Sequence, residues 1–206
     1  GWCTEVGNEV CDDAIQVFGG MGFVEETGIA QFFRDARIIT IYEGTTGIQG
    51  NDLIGRKILR EKGETLHELV ADMGTTLEAL HVAGGLDEIA AGLAENLAAL
   101  RLAMDWVLGE GGERPGEVLA GAVPFLMLLG TVCGGWQLAR AALAAQRRLQ
   151  GGAAEGGGEG SDPTYLQGVV ELVRFYFATF GPQAAAHAAT VCRAGPSLER
   201  FPEAAF

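Results

Sequence analysis

Apolar residues between positions 66 and 107 recur three and four apart. Leu66, Leu69, Val70, Met73, Leu77 and Leu80 form one series. Leu86, Ile89, Leu93, Leu97, Leu100, Met104 and Val107 form a second. That spacing lays one apolar stripe along an α-helix, whereas a strand would scatter it over both faces. A stripe needs a partner to cover it, and Ala83-Gly84-Gly85 supplies a short turn between the two series. The segment therefore predicts an antiparallel helical pair inside a bundle.

The rest of the chain fits an all-α fold. A first helix is expected over about 2–18, stopped by Gly19-Gly20-Met21-Gly22. A second should run from an N-cap at Thr27 to about Arg37. Ile38-Ile39-Thr40-Ile41-Tyr42 is β-branched and apolar, but a lone strand makes no sheet, so it reads as an extended buried connector. Gly44-Thr45-Thr46 opens a third helix, about 46–62. A long helix is expected from Glu117 to Leu149. A Gly/Ala/Glu-rich loop follows at about 151–161, then a last helix from Pro163 to near Gly195, interrupted at Gly181-Pro182, and an irregular tail from Pro196. The boundaries suggest one unit over 1–62 and a second over 63–206.

Val118–Ala139 is 22 residues without a charge, long enough to span a bilayer. It contains Pro124, Gly130, Gly134, Gly135 and Gln137 and lies between two amphipathic segments that need the same aqueous side. A buried central bundle helix is the reading, with no membrane partner. With 27 acidic residues against 14 Lys and Arg, the net charge is −13, which argues against nucleic-acid binding. Cys3, Cys11, Cys133 and Cys192 form no CxxC pair and no zinc spacing, and His67, His81 and His187 are scattered. No metal site is expected. The thiols read as reduced and mostly buried, in a cytoplasmic protein.

Chemistry concentrates between Gln16 and Gln49. Gln16-Val17-Phe18-Gly19-Gly20-Met21-Gly22-Phe23 ends a helix on glycines, where a plain C-cap and a close approach by another backbone or a phosphate are both open. Glu43 follows an apolar run and precedes a helix N-terminus. A carboxylate so placed is paired, as a cap or with Arg34 or Arg37, or it is working.

Three blocks occur in order, with 26 residues between Gln16 and Glu43: Q-V-F-G-G-M-G-F, F-R-D-A-R and I-Y-E-G-T. Together they resemble the C-terminal helical domain of the acyl-CoA dehydrogenase flavoproteins. The E-G-T-T-G-I-Q form and the long helical remainder are similar to larger members that append a helical domain. The resemblance implies oxidation of an acyl-CoA thioester to the trans-2-enoyl-CoA. Glu43 would be the base that removes the α-proton, while the β-hydrogen leaves as hydride to FAD. The backbone N–H of Glu43 and a flavin ribityl hydroxyl would stabilise the charge on the thioester oxygen.

The same resemblance implies that Gln16, Val17, Phe18, Gly19 and Gly20 contact the FAD of a neighbouring subunit, and hence a homodimer or higher. Thr45, with Gly47 nearby, would contact the subunit's own FAD, and Tyr42 and Gly44 would line the acyl pocket. Arg34, Asp35 and Arg37 would form a structural ion-pair set. An electron-transfer flavoprotein is the implied acceptor. Many larger members have His where this chain has Phe18. The chain reads as a C-terminal fragment, without the amino-terminal helical and β-domains that supply most FAD and CoA contacts, and so as inactive alone. Two other readings are an acyl-CoA oxidase-type flavoprotein and a non-catalytic helical oligomerisation module.

Overall fold

A computed structural model describes residues 1–151, 162–198 and 200–202. The described residues are mostly helical and contain no strand. In chain order the helices are α1 (Trp2–Phe18), α2 (Gly20–Phe23), α3 (Ile29–Arg37) and α4 (Thr46–Asp52), which continues as a π-helical turn over Leu53–Leu59. There follow α5 (Glu64–Ala83), α6 (Asp87–Glu110), α7 (Pro115–Ala120), α8 (Ala122–Gln150), α9 (Pro163–Thr179) and α10 (Gln183–Leu198). The loop expected at 151–161 falls, after Gly151, outside the described residues.

Helix α8 is the centre of the molecule: α1, α4, α5, α6, α9 and α10 all pack on it. Its Phe125, Leu128 and Val132 share one fully buried core with Leu93, Leu97 and Leu100 of α6, which packs on it. Burying each large side chain stabilises the fold by about 1.5–3 kcal/mol, which is why the apolar stripes dictate the bundle. By length and composition α8 could also cross a membrane. Its glycines have a packing reason instead. A Cβ on Gly130 would lie 2.1 Å from Cγ of Trp2, and one on Gly135 would lie 3.0 Å from the Tyr176 ring. These bare positions seat aromatic side chains from α1 and α9.

The α5–α6 turn is tied to the bundle. Gln150 donates to the Ala83 carbonyl at 2.8 Å, Gln146 to Gly84 at 3.2 Å, and Arg174 to Gly85 at 2.9 Å. These bonds satisfy carbonyls that the helix end leaves without intrahelical partners. Between α8 and α9, the Tyr176 hydroxyl donates to the Thr131 carbonyl at 2.8 Å. Burial pushes its phenol up to about 12. Ordinary unfolded tyrosine titrates near 10, so the folded state holds this proton longer. The associated stability is complete below pH 10 and is lost as pH rises towards 12. Tyr176→Phe should remove one late phase from an ultraviolet phenolate titration and flatten the alkaline fall in Tm.

Several sequence expectations need correction. Residues 38–42 are not extended and are buried only in part: Ile38–Thr40 is a 3-10 turn in which Thr40 is buried, whereas Ile38, Ile41 and Tyr42 are about half exposed. With no partner strand, β-branched propensity yields to the reversal that α3 and α4 require. Thr27 does not cap α3. Its hydroxyl donates to the Met21 and Val24 carbonyls at 2.8 and 3.0 Å, and Gly28, in the left-handed region, precedes the helix. The helix expected from Glu117 to Leu149 is broken at Gly121, where a Cβ would sit 3.1 Å from the Val191 backbone. Helix α10 runs through Pro196 to Leu198, beyond the end near Gly195 that the sequence predicts. Cys3 is exposed and Cys11, Cys133 and Cys192 are half-buried, so the free thiols are less buried than expected.

Candidate functional site

The I-Y-E-G-T block forms the tight passage between α3 and α4. Glu43 has φ +56° and Gly44 φ +98°. A left-handed backbone suits Gly44, but for Glu43 it is strained by about 1 kcal/mol. Gln49 of α4 donates its side-chain amide to the Glu43 carbonyl at 3.0 Å. Thr45 is the N-cap of α4, its hydroxyl accepting from the Ile48 N–H at 3.4 Å. Thr46 hydrogen-bonds the Glu5 carboxylate, which ties the start of α4 to α1. Gly50, one turn on, lies against α8: a Cβ there would be 3.0 Å from the Ala122 carbonyl.

The Glu43 carboxylate is exposed. It does not pair with either arginine considered from sequence. Arg34 pairs with Glu25 at 3.2 Å, and Arg37 hydrogen-bonds Thr40. Asp35 accepts from Gln31 at 2.7 Å. The expected ion-pair set is thus reduced to Arg34 with an unforeseen partner.

Tyr42, Glu43 and Gly44 share a cleft of about 280 Å³ with Thr4, Ile39 and Gln49. Thr45 and Gly47 line an adjoining cleft of about 600 Å³ with Glu5, Asn8, Phe33 and Arg37. The residues of the Gln16–Gly20 turn line neither. They close the far end of α1: Gly19 has φ +60° and its N–H returns to the Gln16 carbonyl at 3.0 Å. Glu5, at the Thr46 end, and Gln16 are eleven residues apart on one helix, about 17 Å along the axis at 1.5 Å per residue. The two motifs therefore present separate faces.

The turn is open. A Cβ on Gly19 or Gly20 would meet nothing within 4 Å, and Val17 and Phe18 are exposed, Val17 by 84%. Gly22 is the opposite case, because its Cβ would lie 2.2 Å from the Ile15 carbonyl oxygen. The glycines thus divide between packing the turn and leaving its outer face bare. Phe23 and Phe32 are also exposed, Phe23 by 85%.

Two features were missed in sequence. Gln49 lies within the quoted E-G-T-T-G-I-Q string, yet a six-residue reach back to a carbonyl leaves no periodic signal. A third cleft, about 460 Å³, lies between Trp2, Val6, Met127, Tyr176, Phe180 and His187. It is assembled from three distant segments. Burial pushes the His187 imidazole below its ordinary range. Among the described residues no cluster of His, Cys, Asp and Glu could hold a metal.

Two family models match consecutive segments of the chain. Residues 2–59 match the family described as acyl-CoA dehydrogenase, C-terminal domain, and residues 68–202 match acetyl-CoA dehydrogenase C-terminal like. The chain belongs to the acyl-CoA dehydrogenase family. It is 50% identical over 157 residues to 3-methylmercaptopropionyl-CoA dehydrogenase of Ruegeria pomeroyi, covering 75% of this chain and 27% of that protein. It is 32% identical over 189 residues to the broad-specificity linear acyl-CoA dehydrogenase FadE5 of Mycobacterium tuberculosis, covering 82% and 28%. Over 48 residues it is 42% identical to the caffeyl-CoA reductase-Etf complex subunit CarC of Acetobacterium woodii, covering 23% and 13%. The chain therefore spans little more than a quarter of the length of the first two relatives.

Proposed function

We propose that this chain supplies the catalytic base and part of the cofactor contacts of an FAD-dependent acyl-CoA dehydrogenase. The observation that carries the reading is Glu43: an unpaired, exposed carboxylate on a strained left-handed residue that a neighbouring side chain holds in place. Strain of this kind persists where the surroundings over-determine it, and it gathers at active sites.

The chemistry asked of Glu43 is removal of the proton α to a thioester. That proton is weakly acidic, so Glu43, exposed in this chain, must be closed off from water in the assembled enzyme when it acts, and its own N–H can donate to the thioester oxygen. Tyr42 and Gly44 would border the acyl group at the same cleft. A bound FAD would supply the acceptor for the β-hydrogen as hydride, so that acyl-CoA would lose one proton to Glu43 and one hydride to the cofactor and become the trans-2-enoyl-CoA. The residues fit such a cofactor. The bare outer face at Gly19 and Gly20 admits close approach of a planar polar group, and the Thr45 hydroxyl and Gly47 stand at the edge of the wider cleft. The separation of the two motifs along α1 supports their serving different FAD molecules in a dimer or higher assembly. We assign an electron-transfer flavoprotein as acceptor.

The test uses the complete gene product loaded with FAD. It is assayed with an artificial electron acceptor against 3-methylmercaptopropionyl-CoA, butyryl-CoA and longer linear acyl-CoAs. Enoyl-CoA should form with stoichiometric acceptor reduction. Oxygen consumption with equimolar hydrogen peroxide would identify an oxidase instead, and no enoyl-CoA from any thioester would overturn the proposal.

A further inference from the structure

We infer that Gln49 is a positioning residue for the Glu43 base, acting through the peptide between Glu43 and Gly44; the inference rests on the reading of Glu43 given above. The Glu43 carbonyl belongs to a peptide flanked by two residues with positive φ. Rotation of that plane changes ψ of Glu43 and φ of Gly44 together. Gly44 accepts either hand, so it offers no resistance to the flip. The Gln49 amide does: its Nε2 donates to that carbonyl at 3.0 Å, a distance typical of a sound N–H···O bond.

The arm is mounted on a fixed element. The Gln49 N–H donates to the Thr45 carbonyl at 2.9 Å, the next residue, Gly50, packs against the α8 backbone, and Thr46 is bonded to Glu5 of α1. Fixing ψ of Glu43 fixes where its side chain leaves the backbone, and proton transfer is sensitive to displacements well below 1 Å. Gln49 is suited to this task because it offers a neutral donor: an ionised carboxylate at the same position would have nothing to give the carbonyl.

The experiment compares Gln49→Ala and Gln49→Glu with the wild type in the complete FAD-loaded gene product, with Glu43→Gln as reference. Both Gln49 variants should lose about ten-fold in kcat with KM within two-fold of wild type. The isotope effect from acyl-CoA deuterated only at the α-carbon should rise, since proton removal becomes more nearly rate-limiting. Gln49→Glu keeps the side-chain volume, so it decides the matter if Gln49→Ala fails to fold. Unchanged kcat and isotope effect in both variants, beside an inactive Glu43→Gln, would overturn the role of Gln49 alone. Full activity of Gln49→Glu beside an impaired Gln49→Ala would also overturn it, because bulk rather than a donor would then matter. Turnover retained by Glu43→Gln would instead remove the base assignment on which the inference stands.

Discussion

Glu43→Gln in the complete gene product should lower kcat by about 10³-fold while acyl-CoA still binds, within the range that a positioned general base contributes. The amide keeps the shape of the carboxylate and removes its basicity. Its backbone N–H, the proposed donor to the thioester oxygen, is unchanged. The left-handed φ of +56° makes no different demand on Gln than on Glu. Binding measured by equilibrium titration should therefore move little, and the loss should appear in single-turnover rates. Glu43→Asp should retain part of the activity, because the base survives but is set back by one methylene.

Gly195→Val should destabilise the bundle by about 3 kcal/mol, at the upper end for an overpacked contact. A Cβ on Gly195 would lie 2.4 Å from the Glu117 carbonyl oxygen and 2.5 Å from its Cα. These are backbone atoms, so relief requires α10 to move away from α7. Glu117 is itself buried, and Arg114 reaches it at 3.3 Å while also holding Glu110. Displacing α10 would open that buried carboxylate to water. For a chain of this size the loss corresponds to a fall in Tm of about 10 °C, measurable by circular dichroism. Gly112→Val is the control: a Cβ there would meet nothing within 4 Å, and Tm should stay close to wild type.

The two cases mark what the sequence makes readable. Periodic burial is legible, because a helix that hides Leu93, Leu97 and Leu100 repeats its apolar residues at helical spacing. So is the end of α1, where Gly19 supplies the φ that stops a helix. The family was legible only through the combination of blocks from Gln16 to Glu43. The environment of Glu43 was not. A buried, Arg-paired carboxylate was one reading, whereas the structure has an exposed carboxylate and both arginines engaged elsewhere.

Local propensity misled at Ile38–Tyr42, where tertiary direction outweighed a β-branched run. It was silent on contacts made across long sequence distances. Gly195 against Glu117 and Trp2 on Gly130 each join residues far apart, and a single sequence holds no record of them. The glycines of α8 show the same effect. In composition they suit a membrane helix or a soluble core helix equally, and only the seated aromatics explain them. Gln49 lies between these extremes, visible in the motif but given its task only by the turn it spans.

The most direct test of the account is rapid anaerobic mixing of the FAD-loaded complete gene product with saturating acyl-CoA, followed at the flavin absorbance and by enoyl-CoA analysis. Wild type should bleach in one turnover with one enoyl-CoA formed per flavin, and Glu43→Gln should bind the thioester and bleach about 10³-fold more slowly. Bleaching of Glu43→Gln at the wild-type rate would contradict Glu43 as the base, and failure of the wild type to bleach with any acyl-CoA would contradict the proposed reaction.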